Sequence, residues 1–94
     1  MSGSFCLNAM VHTVYCLYSL KYDKIYTGCT SNLIQRFYSH NYFSKKGWTT
    51  KYRPWIVVYT EYFFDKTEAL KREKELKSAK GRRIIREFIN SEYS

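Results

Sequence analysis

The stretch VYCLYSLKYDKIYTGCTSNLIQRFYSH, residues 14–40, decides the fold of this chain. The β-branched and aromatic residues of TVYCLYSL, residues 13–20, predict a strand, because such side chains fit a half-buried pleated sheet. The polar sequence KYDK at residues 21–24 predicts a turn, and IYTGC at residues 25–29 predicts a second, short strand. Two strands so close in sequence are most simply paired as an antiparallel hairpin. Gly28 ends this hairpin, either as a β-bulge or because another group approaches its backbone closely.

A helix follows the hairpin at once, over TSNLIQRFYSHNYF, residues 30–43. Ser31 or Asn32 can serve as its N-cap, because a side-chain oxygen there accepts a hydrogen bond from a free backbone N–H of the first turn. Gln35 stands three residues after Asn32 and completes a capping box. The helical period gives this segment one apolar stripe. The stripe is predicted to consist of Leu33, Ile34 and Phe37.

The rest of the chain predicts one strand and two helices. WIVVYTEYF, residues 55–63, is the clearest strand in the sequence. DKTEALKREKELKSAKG, residues 65–81, predicts a helix that begins at Asp65 and stops at Gly81. RRIIREFIN, residues 82–90, predicts a final basic, amphipathic helix. The order β-β-α-β-α-α is typical of an α+β domain in which a three-stranded antiparallel sheet is flanked by helices.

The length and the charge of the chain narrow its class. A chain of 94 residues is expected to form one domain, which we place at residues 12–90, between a loosely ordered segment at 1–11 and a tail at 91–94. The 16 Lys and Arg residues outnumber the 8 Asp and Glu residues, so the formal net charge is +8. This balance favours a polyanionic partner, nucleic acid before an anionic membrane. A generic basic surface that keeps the protein soluble is the alternative.

Nothing in the sequence indicates a secreted protein, a membrane protein or a zinc protein. The N-terminus lacks the basic start and the apolar run of a signal peptide, and no apolar run approaches the roughly 18 residues of a membrane span. The three cysteines show no Cys-x-x-Cys spacing and no cluster with the two histidines, which argues against a structural zinc site. We therefore expect a cytoplasmic protein with reduced thiols, no membrane contact and no small-molecule cofactor.

Glu73 occupies an unexpected place on the helical wheel of residues 65–81. At about 100° per residue it falls between Ala69 and Leu76, within an apolar stripe that also includes Leu70. Because burial of an unpaired carboxylate is costly, Glu73 is expected to pair with a cation, accept hydrogen bonds or bind a metal. A buried ion pair with an arginine of the other helix is the simplest structural role. An error of one residue in the wheel would instead send Glu73 to the surface.

Five features of the chain occur in the order and at the spacing of a known set of motifs. The tripeptides TVY (residues 13–15) and YTG (residues 26–28) are separated by ten residues. Arg36 follows eight residues after the second tripeptide, His40 four residues later, and Glu73 stands in the next long helix. In these features the chain resembles the GIY-YIG nuclease family. Two further segments look like the small, free-standing, single-domain bacterial branch of that family. They are YRPWIVVY, residues 52–59, and ALKREKELKSAKGRR, residues 69–83.

The resemblance implies an endonuclease that hydrolyses DNA phosphodiester bonds with one Mg²⁺ or Mn²⁺ ion. Glu73 would hold the metal through a hard carboxylate oxygen, and Arg36 would contact the scissile phosphate with its fixed fork of donors. One tyrosine would deprotonate the attacking water. By resemblance Tyr15 is favoured as this base and Tyr26 orients the water or the phosphate, although the two roles can be exchanged. His40 would hydrogen-bond a tyrosine or the phosphate and could shuttle a proton.

Three positions depart from the pattern of the family. Thr13 stands where the first tripeptide usually has glycine, and Cys29 stands where the excision-repair branch has a lysine. Lys45 or Lys46 of the following loop are candidates to replace that lysine. Ile85 occupies the position, about twelve residues past the metal-binding glutamate, where family members often have asparagine. This last departure puts the rate in question, though not the reaction class.

Basic residues in two places are predicted to contact the DNA backbone without reading its sequence. They are Lys45, Lys46, Lys51 and Arg53 in the loop after the first helix, and Lys80, Arg82, Arg83 and Arg86 near the end of the chain. Two alternatives to a nuclease stay open. The first is a catalytically weak or inactive nucleic-acid-binding module with the same fold. The second is a small basic structural protein, associated with RNA or the ribosome, in which Glu73 only makes an ion pair.

Overall fold

The computed structural model describes residues 10–93, so residues 1–9 of the segment predicted to be loosely ordered, and Ser94 of the tail, lie outside the described residues. The strands are β1 (His12–Ser19), β2 (Lys24–Thr30) and β3 (Ile56–Phe63). The helices are α1 (Leu33–Tyr38), α2 (Lys66–Lys77) and α3 (Ala79–Tyr93). A π-helical turn (Ser39–Phe43) continues α1, and a 3-10 helix (Trp48–Tyr52) lies in the loop before β3.

The three strands form one antiparallel sheet in the order β2-β1-β3. β1 is therefore the central strand, and its Tyr15 lies opposite Gly28 of β2 and Thr60 of β3. An irregularity between Cys16 and Leu17 shifts the register between β1 and β3. This architecture confirms the predicted α+β class, the three-stranded antiparallel sheet and the order β-β-α-β-α-α.

The central strand sends its side chains into two separate cores, because successive residues of a strand point to opposite faces of the sheet. Val14 and Cys16 belong to a cluster that α2 and α3 cover. Tyr15 and Leu17 point the other way, into a smaller cluster around Trp55. The first cluster is completed by Val58, Ala69, Leu76, Ile85 and Ile89, and the second by the partly buried Tyr26, Leu33, Phe37 and Tyr52. Tyr15 thus lies in an aromatic core on the face away from the two long helices.

Helix α1 is shorter than predicted and buries a narrower stripe. Asn32 is the N-cap, since its Oδ1 accepts a hydrogen bond from the backbone N–H of Gln35 at 3.1 Å. Leu33 and Phe37 are half-buried against the second cluster, as the apolar stripe predicts. The inclusion of Ile34 in that stripe is wrong, because its side chain is 72% exposed. With only six residues before the π-helical turn, α1 buries a narrower strip than a regular helix would.

The predicted end of the second helix at Gly81 is wrong. Helix α2 stops at Lys77, and the Ser78 hydroxyl donates to the carbonyl of Glu75 at 2.6 Å and accepts from the backbone N–H of Gly81 at 3.1 Å. Gly81 lies instead in the first turn of α3, where a Cβ atom would clash with the backbone of Glu75 and Leu76. Glycine is required here because α3 crosses the end of α2 at backbone distance.

Helix α3 begins at Ala79, three residues before the predicted start, and continues through Tyr93. Its buried side, Ile85 and Ile89, covers the first core cluster. Arg86 of α3 donates to the carboxylate of Asp23 and, at 3.0 Å, to the Asp23 carbonyl, which ties the β1–β2 turn to the helix. Among residues 10–93, no helix is both long enough and apolar enough to cross a membrane.

Candidate active site

Two tyrosines and a histidine meet on the face of the sheet that carries the second core cluster. The Tyr15 hydroxyl lies 2.9 Å from Nε2 of His40, within hydrogen-bonding distance. The ring centroids of Tyr26 and His40 are 4.7 Å apart, and those of Tyr15 and Tyr26 are 6.2 Å apart. These residues come from β1, β2 and the π-helical turn, so the hairpin and the following helical segment together build the cluster.

Gly28 provides the space in which the Tyr15 ring lies. A Cβ atom at position 28 would stand 2.7 Å from the Tyr15 hydroxyl oxygen and 3.0 Å from Cε2 of Tyr26. Carbon atoms do not approach that closely without displacing one another, so only glycine allows both rings to keep their places. Gly28 does not end the hairpin as expected, because β2 continues to Thr30. Of the two explanations for this glycine, close approach of another group is the one that the structure shows.

Arg36 adds a positive charge to this cluster from α1. Its side chain is exposed, and the pKa of its guanidinium is raised, chiefly by hydrogen bonding with Tyr15. A guanidinium group can only donate, so a nearby Arg36 favours a Tyr15 hydroxyl whose proton is directed away from it. We assign the Tyr15 O–H as the donor to Nε2 of His40, 2.9 Å away. The structure thus brings together four of the predicted site residues, namely Tyr15, Tyr26, Arg36 and His40.

Burial sets the acid–base properties of the two central groups. The pKa of Tyr15 is raised well above its ordinary value of 10.0, first by burial and then by the neighbouring Tyr26, while Arg36 acts in the opposite direction. The pKa of His40 is lowered below its ordinary value of 6.5, first by burial and then by Arg36 and Arg53. At neutral pH the imidazole is therefore uncharged, and a neutral ring has one nitrogen that can accept a proton.

A shell of hydrogen bonds fixes the ring of His40. Nδ1 of His40 lies 3.1 Å from the Thr49 hydroxyl oxygen, and with Nε2 accepting from Tyr15, Nδ1 carries the hydrogen and donates it to Thr49. The Thr49 carbonyl in turn accepts from the indole N–H of Trp55 at 2.8 Å. The side chain of Asn41 pairs with the Trp55 backbone, accepting at 2.6 Å and donating at 3.0 Å. His40 thus rests on a buried, hydrogen-bonded support.

Thr49 and Asn41 do not stand out in the sequence as functional residues. Both are buried, and both contact their partners across the loop that precedes β3. No spacing rule predicts such contacts, because the path of a loop depends on tertiary packing. The one local signal is that each is a small polar residue close to a predicted site residue or to a tryptophan.

Of the eight basic residues predicted to contact DNA, six are exposed, whereas Arg53 and Arg86 are half-buried and bind other groups of the protein. Lys45, Lys46, Lys51, Lys80, Arg82 and Arg83 are exposed. Arg53 is half-buried, and it donates to the carbonyl of His40 at 2.6 Å and to those of Ser39 and Ser44 at 3.3 and 2.5 Å. Arg53 therefore holds the C-terminal end of the helical segment that carries His40.

Glu73 lies on α2, which covers the face of the sheet opposite the tyrosine cluster. Its side chain is 19% exposed, and its carboxylate pairs with Nζ of Lys77, four residues later, at 2.8 Å. The pKa of Cys29 on β2 is raised, first by burial and then by the charge of Glu73. The pKa of Lys77 is raised as well, chiefly by its hydrogen bond with Glu73, and Lys77 also interacts with Tyr26. Glu73 thus lies at the edge of the core, paired with a lysine of its own helix and not with an arginine of the other helix.

The apolar stripe of α2 is narrower than the wheel predicts. Ala69 and Leu76 are fully buried, whereas Leu70 is 46% exposed, so its assignment to the stripe is wrong. Arg72, which is half-buried, pairs with Glu61 of β3 at 2.8 Å and with Glu75 at 3.3 Å. These pairs involve the other side of α2 and leave Glu73 on the side towards β2.

The donor set fits a divalent metal that substrate and water help to hold. Among residues 10–93 no group of three or more His, Cys, Asp or Glu side chains could hold a metal ion. Mg²⁺ is commonly bound by one or two carboxylates together with waters and substrate phosphates, and does not need a protein cage. The partly exposed carboxylate of Glu73 can serve as one such ligand.

A comparison of the whole sequence identifies the family. The family model of the GIY-YIG catalytic domain matches residues 11–86. The chain therefore belongs to the GIY-YIG family, which confirms the resemblance read from its motifs.

The individual relatives are small proteins of the UPF0213 group. One from Staphylococcus haemolyticus is 39% identical over 67 residues, which cover 71% of this chain and 80% of the relative. Another from Natronomonas pharaonis is 36% identical over 77 residues, which cover 79% of this chain and 89% of the relative. No solved structure matches the chain significantly.

Two of the positions that depart from the family pattern have clear places in the structure. Ile85 is 1% exposed and packs in the first core cluster, so position 85 offers no polar group to the site. Cys29 is half-buried on β2, with a free thiol near Glu73. The polar groups that surround the tyrosines therefore come from α1, the π-helical turn and the loop before β3.

Proposed function

We propose that this protein is a metal-dependent endonuclease that hydrolyses phosphodiester bonds of DNA. Membership of the GIY-YIG family makes it a member of a nuclease family. The observation that carries the proposal is the buried Tyr15 hydroxyl, held by Nε2 of His40 at 2.9 Å and facing Arg36 and Tyr26. A phenol hydrogen-bonded to a neutral imidazole, with a guanidinium nearby, provides a proton acceptor and a phosphate ligand in one place.

Tyr15 and His40 act together as the general base. Because the pKa of Tyr15 is raised by burial, a free phenolate is not available at neutral pH. Tyr15 can still take a proton from water if its own proton passes to Nε2 of His40 in the same step. The lowered pKa of His40 keeps the acceptor nitrogen free, and the Thr49 hydroxyl holds the ring in the tautomer that this transfer requires. If the roles of the tyrosines are exchanged, Tyr26 is the half-buried candidate beside the same imidazole.

Arg36 and the exposed lysines bind the anionic substrate. Arg36 is exposed next to Tyr15, where its planar fork of N–H donors can contact two oxygens of one phosphate. The basic groups of the loop and of α3 follow the DNA backbone on either side. They are Lys45, Lys46, Lys51, Lys80, Arg82 and Arg83.

Glu73 would hold one Mg²⁺ or Mn²⁺ ion through its carboxylate, with substrate oxygens and water as further ligands. When bound, such an ion stabilises the charge that grows on the phosphate and the leaving oxygen. In the protein alone, Nζ of Lys77 pairs with this partly buried carboxylate at 2.8 Å.

Cleavage of supercoiled plasmid in the presence of Mg²⁺ or Mn²⁺ tests the proposal directly. Wild-type protein should nick the plasmid, and Tyr15→Phe and Glu73→Gln should reduce the rate by about 100-fold or more, the usual scale for loss of an acid–base or metal-binding group. Glu68→Gln is the matched control, since Glu68 is an exposed carboxylate of the same helix. Equal rates for Glu73→Gln and Glu68→Gln would rule out Glu73 as the metal ligand.

A nucleic-acid-binding module without appreciable cleavage is the second candidate. It is favoured by Ile85, which places an aliphatic side chain in the core where many family members carry an asparagine. Binding of DNA without nicking under the same conditions supports this candidate. A cytoplasmic location belongs to both proposals.

A further inference from the structure

Three aromatic side chains form a partly exposed row beside the candidate active site. The ring of Tyr52 lies 4.8 Å from that of Trp48 and 5.5 Å from that of Tyr22, measured between centroids. Trp48 is 45% exposed and Tyr22 is 42% exposed, so each presents ring surface to solvent at one end of the row. We call Trp48, Tyr52 and Tyr22 the aromatic row.

The aromatic row is continuous with the site. Trp48 and Tyr52 are the first and last residues of the 3-10 helix, and Thr49 of that helix contacts Nδ1 of His40 at 3.1 Å. Tyr52 packs against the core cluster that contains Tyr15. The same short helix therefore holds the catalytic imidazole on its inner side and presents aromatic rings on its outer side.

The surroundings of the aromatic row are positively charged. Nζ of Lys24 lies 5.4 Å from the ring centroid of Tyr52, and Nζ of Lys21 lies 5.3 Å from that of Tyr22. From Lys24 to Thr60 the sequence contains six Lys or Arg residues and no Asp or Glu. They are Lys24, Arg36, Lys45, Lys46, Lys51 and Arg53.

The nearest acid along the chain does not offset this charge. Asp23 accepts a hydrogen bond from the Tyr18 hydroxyl at 2.7 Å and pairs with Arg86 of α3. Its carboxylate is therefore already bound on the far side of the hairpin turn. Exposed rings among lysines are the combination by which proteins bind single-stranded nucleic acids, because bases stack on the rings while cations hold the phosphates.

We propose that the aromatic row stacks unpaired bases next to the phosphate that the enzyme cleaves, so that the preferred substrate has single-stranded nucleotides at the cut. This inference rests on the proposed function for the position of the cut, but base stacking itself needs no cleavage. Bases of an intact duplex are stacked on each other and cannot lie on the rings. A strand with unpaired nucleotides can place its phosphate at Arg36 and its neighbouring bases on Tyr52 and Trp48.

Tryptophan fluorescence tests the stacking without any cleavage. The chain has two tryptophans, and Trp55 is 1% exposed, so a base that stacks on the protein surface can contact only the Trp48 ring of the two. In EDTA, a 12-nucleotide oligothymidylate should quench the emission of the wild-type protein. An abasic strand of the same length, which has the same phosphates but no bases, should bind without quenching. A blunt duplex should quench much less than the single strand at equal occupancy.

Binding of a labelled oligothymidylate to variants identifies the rings involved. Trp48→Leu should weaken binding by about tenfold, the usual scale for loss of one base-stacking ring, and Trp48→Phe should restore most of it. Tyr62→Leu is the matched control, because Tyr62 is 65% exposed on β3, at the sheet edge opposite β2. Circular dichroism melting verifies that each variant is folded.

Three results would overturn the proposal. In the first, the abasic strand quenches as much as the oligothymidylate. In the second, the blunt duplex quenches as much as the single strand. In the third, Trp48→Leu and Tyr62→Leu lose the same affinity. A failure of the proposed function looks different, because quenching and its dependence on Trp48 would persist while the plasmid stays intact in Mg²⁺ and Mn²⁺.

Discussion

Tyr15 and Gly28 face each other across β1 and β2, and the tyrosine ring fills the space that any side chain at position 28 would need. The glycine of the second tripeptide therefore leaves the space that the tyrosine of the first tripeptide occupies. The ten residues between the two tripeptides form the rest of the hairpin, whose register brings these two positions together.

Gly28→Ala should impair cleavage more than it impairs folding. The new Cβ would stand 2.7 Å from the Tyr15 hydroxyl oxygen, so the ring must shift from the position in which it contacts His40. Overpacking of this kind costs about 1–3 kcal/mol of unfolding free energy, and displacement of the base should lower the cleavage rate by about 100-fold. Urea unfolding and plasmid nicking measure the two effects. Ser31→Ala, an exposed change just beyond β2, should alter neither, and an unimpaired Gly28→Ala enzyme would contradict the assignment.

Thr49→Val should show whether cleavage depends on the orientation of the His40 ring, because the histidine itself is retained. Valine keeps the shape of threonine but removes the oxygen that accepts from Nδ1 of His40. The loss of one buried hydrogen bond costs about 1 kcal/mol, and the freed ring should lower the cleavage rate by about tenfold. Thr49→Ser retains the hydroxyl and should retain most of the activity. If serine and valine variants cleave at the same rate, Thr49 has only a packing role.

The stability of the protein should fall on acidification because His40 is buried in its neutral form. The folded-state pKa of His40 lies below its ordinary value of 6.5, whereas the unfolded chain binds the proton near that value. Between the two pKa values the unfolded state binds more protons, so stability is fully present above about 6.5 and is lost as the pH falls through this window. Urea unfolding at about pH 7.5 and about pH 5 should show a loss in the wild type that His40→Gln reduces.

The acid limb of the cleavage rate should follow the same group. His40 can accept a proton only while it is neutral, so the rate should hold down to pH values below about 6.5 before it falls. A limb that begins clearly above pH 7 would argue against His40 as the acceptor.

Glu73→Gln should leave the fold nearly intact. The pair of Glu73 with Lys77 is an i,i+4 pair whose lysine is 54% exposed, and such pairs contribute only about 0.3–0.5 kcal/mol. Thermal melting should therefore change little while nicking is lost. A large drop in melting temperature, with loss of binding as well, would show that the carboxylate has a structural role.

Local signals predicted the elements well, and tertiary contacts explain the errors. The strand pattern of β1 and the cap at Asn32 depend on neighbouring residues alone, and both are confirmed. Gly81 looks like a helix stop because glycine is common there, yet it is needed where α3 crosses α2. Ile34 fits the helical period of the apolar stripe, but α1 is too short and too peripheral to bury it.

The candidate site was predictable only in part for the same reason. Motif spacing predicts four site residues, namely Tyr15, Tyr26, Arg36 and His40. It can do so because a hairpin and the helical segment after it bring residues at fixed sequence separations close in space. The contact of Thr49 with His40 crosses a loop, and no periodic pattern predicts it. Whether Arg53 points outward or caps carbonyls of the helical turn is equally a matter of the loop path.

The alternation of side chains along β1 has a practical consequence for protein engineering. Even-numbered positions such as Val14 and Cys16 pack under the long helices, whereas odd-numbered Tyr15 and Leu17 pack in the cluster that carries the candidate site. A library at the even positions would therefore vary the core beneath the helices, and one at the odd positions would vary the core beneath the candidate site. In this strand the parity of the residue number tells which of the two cores a substitution reaches.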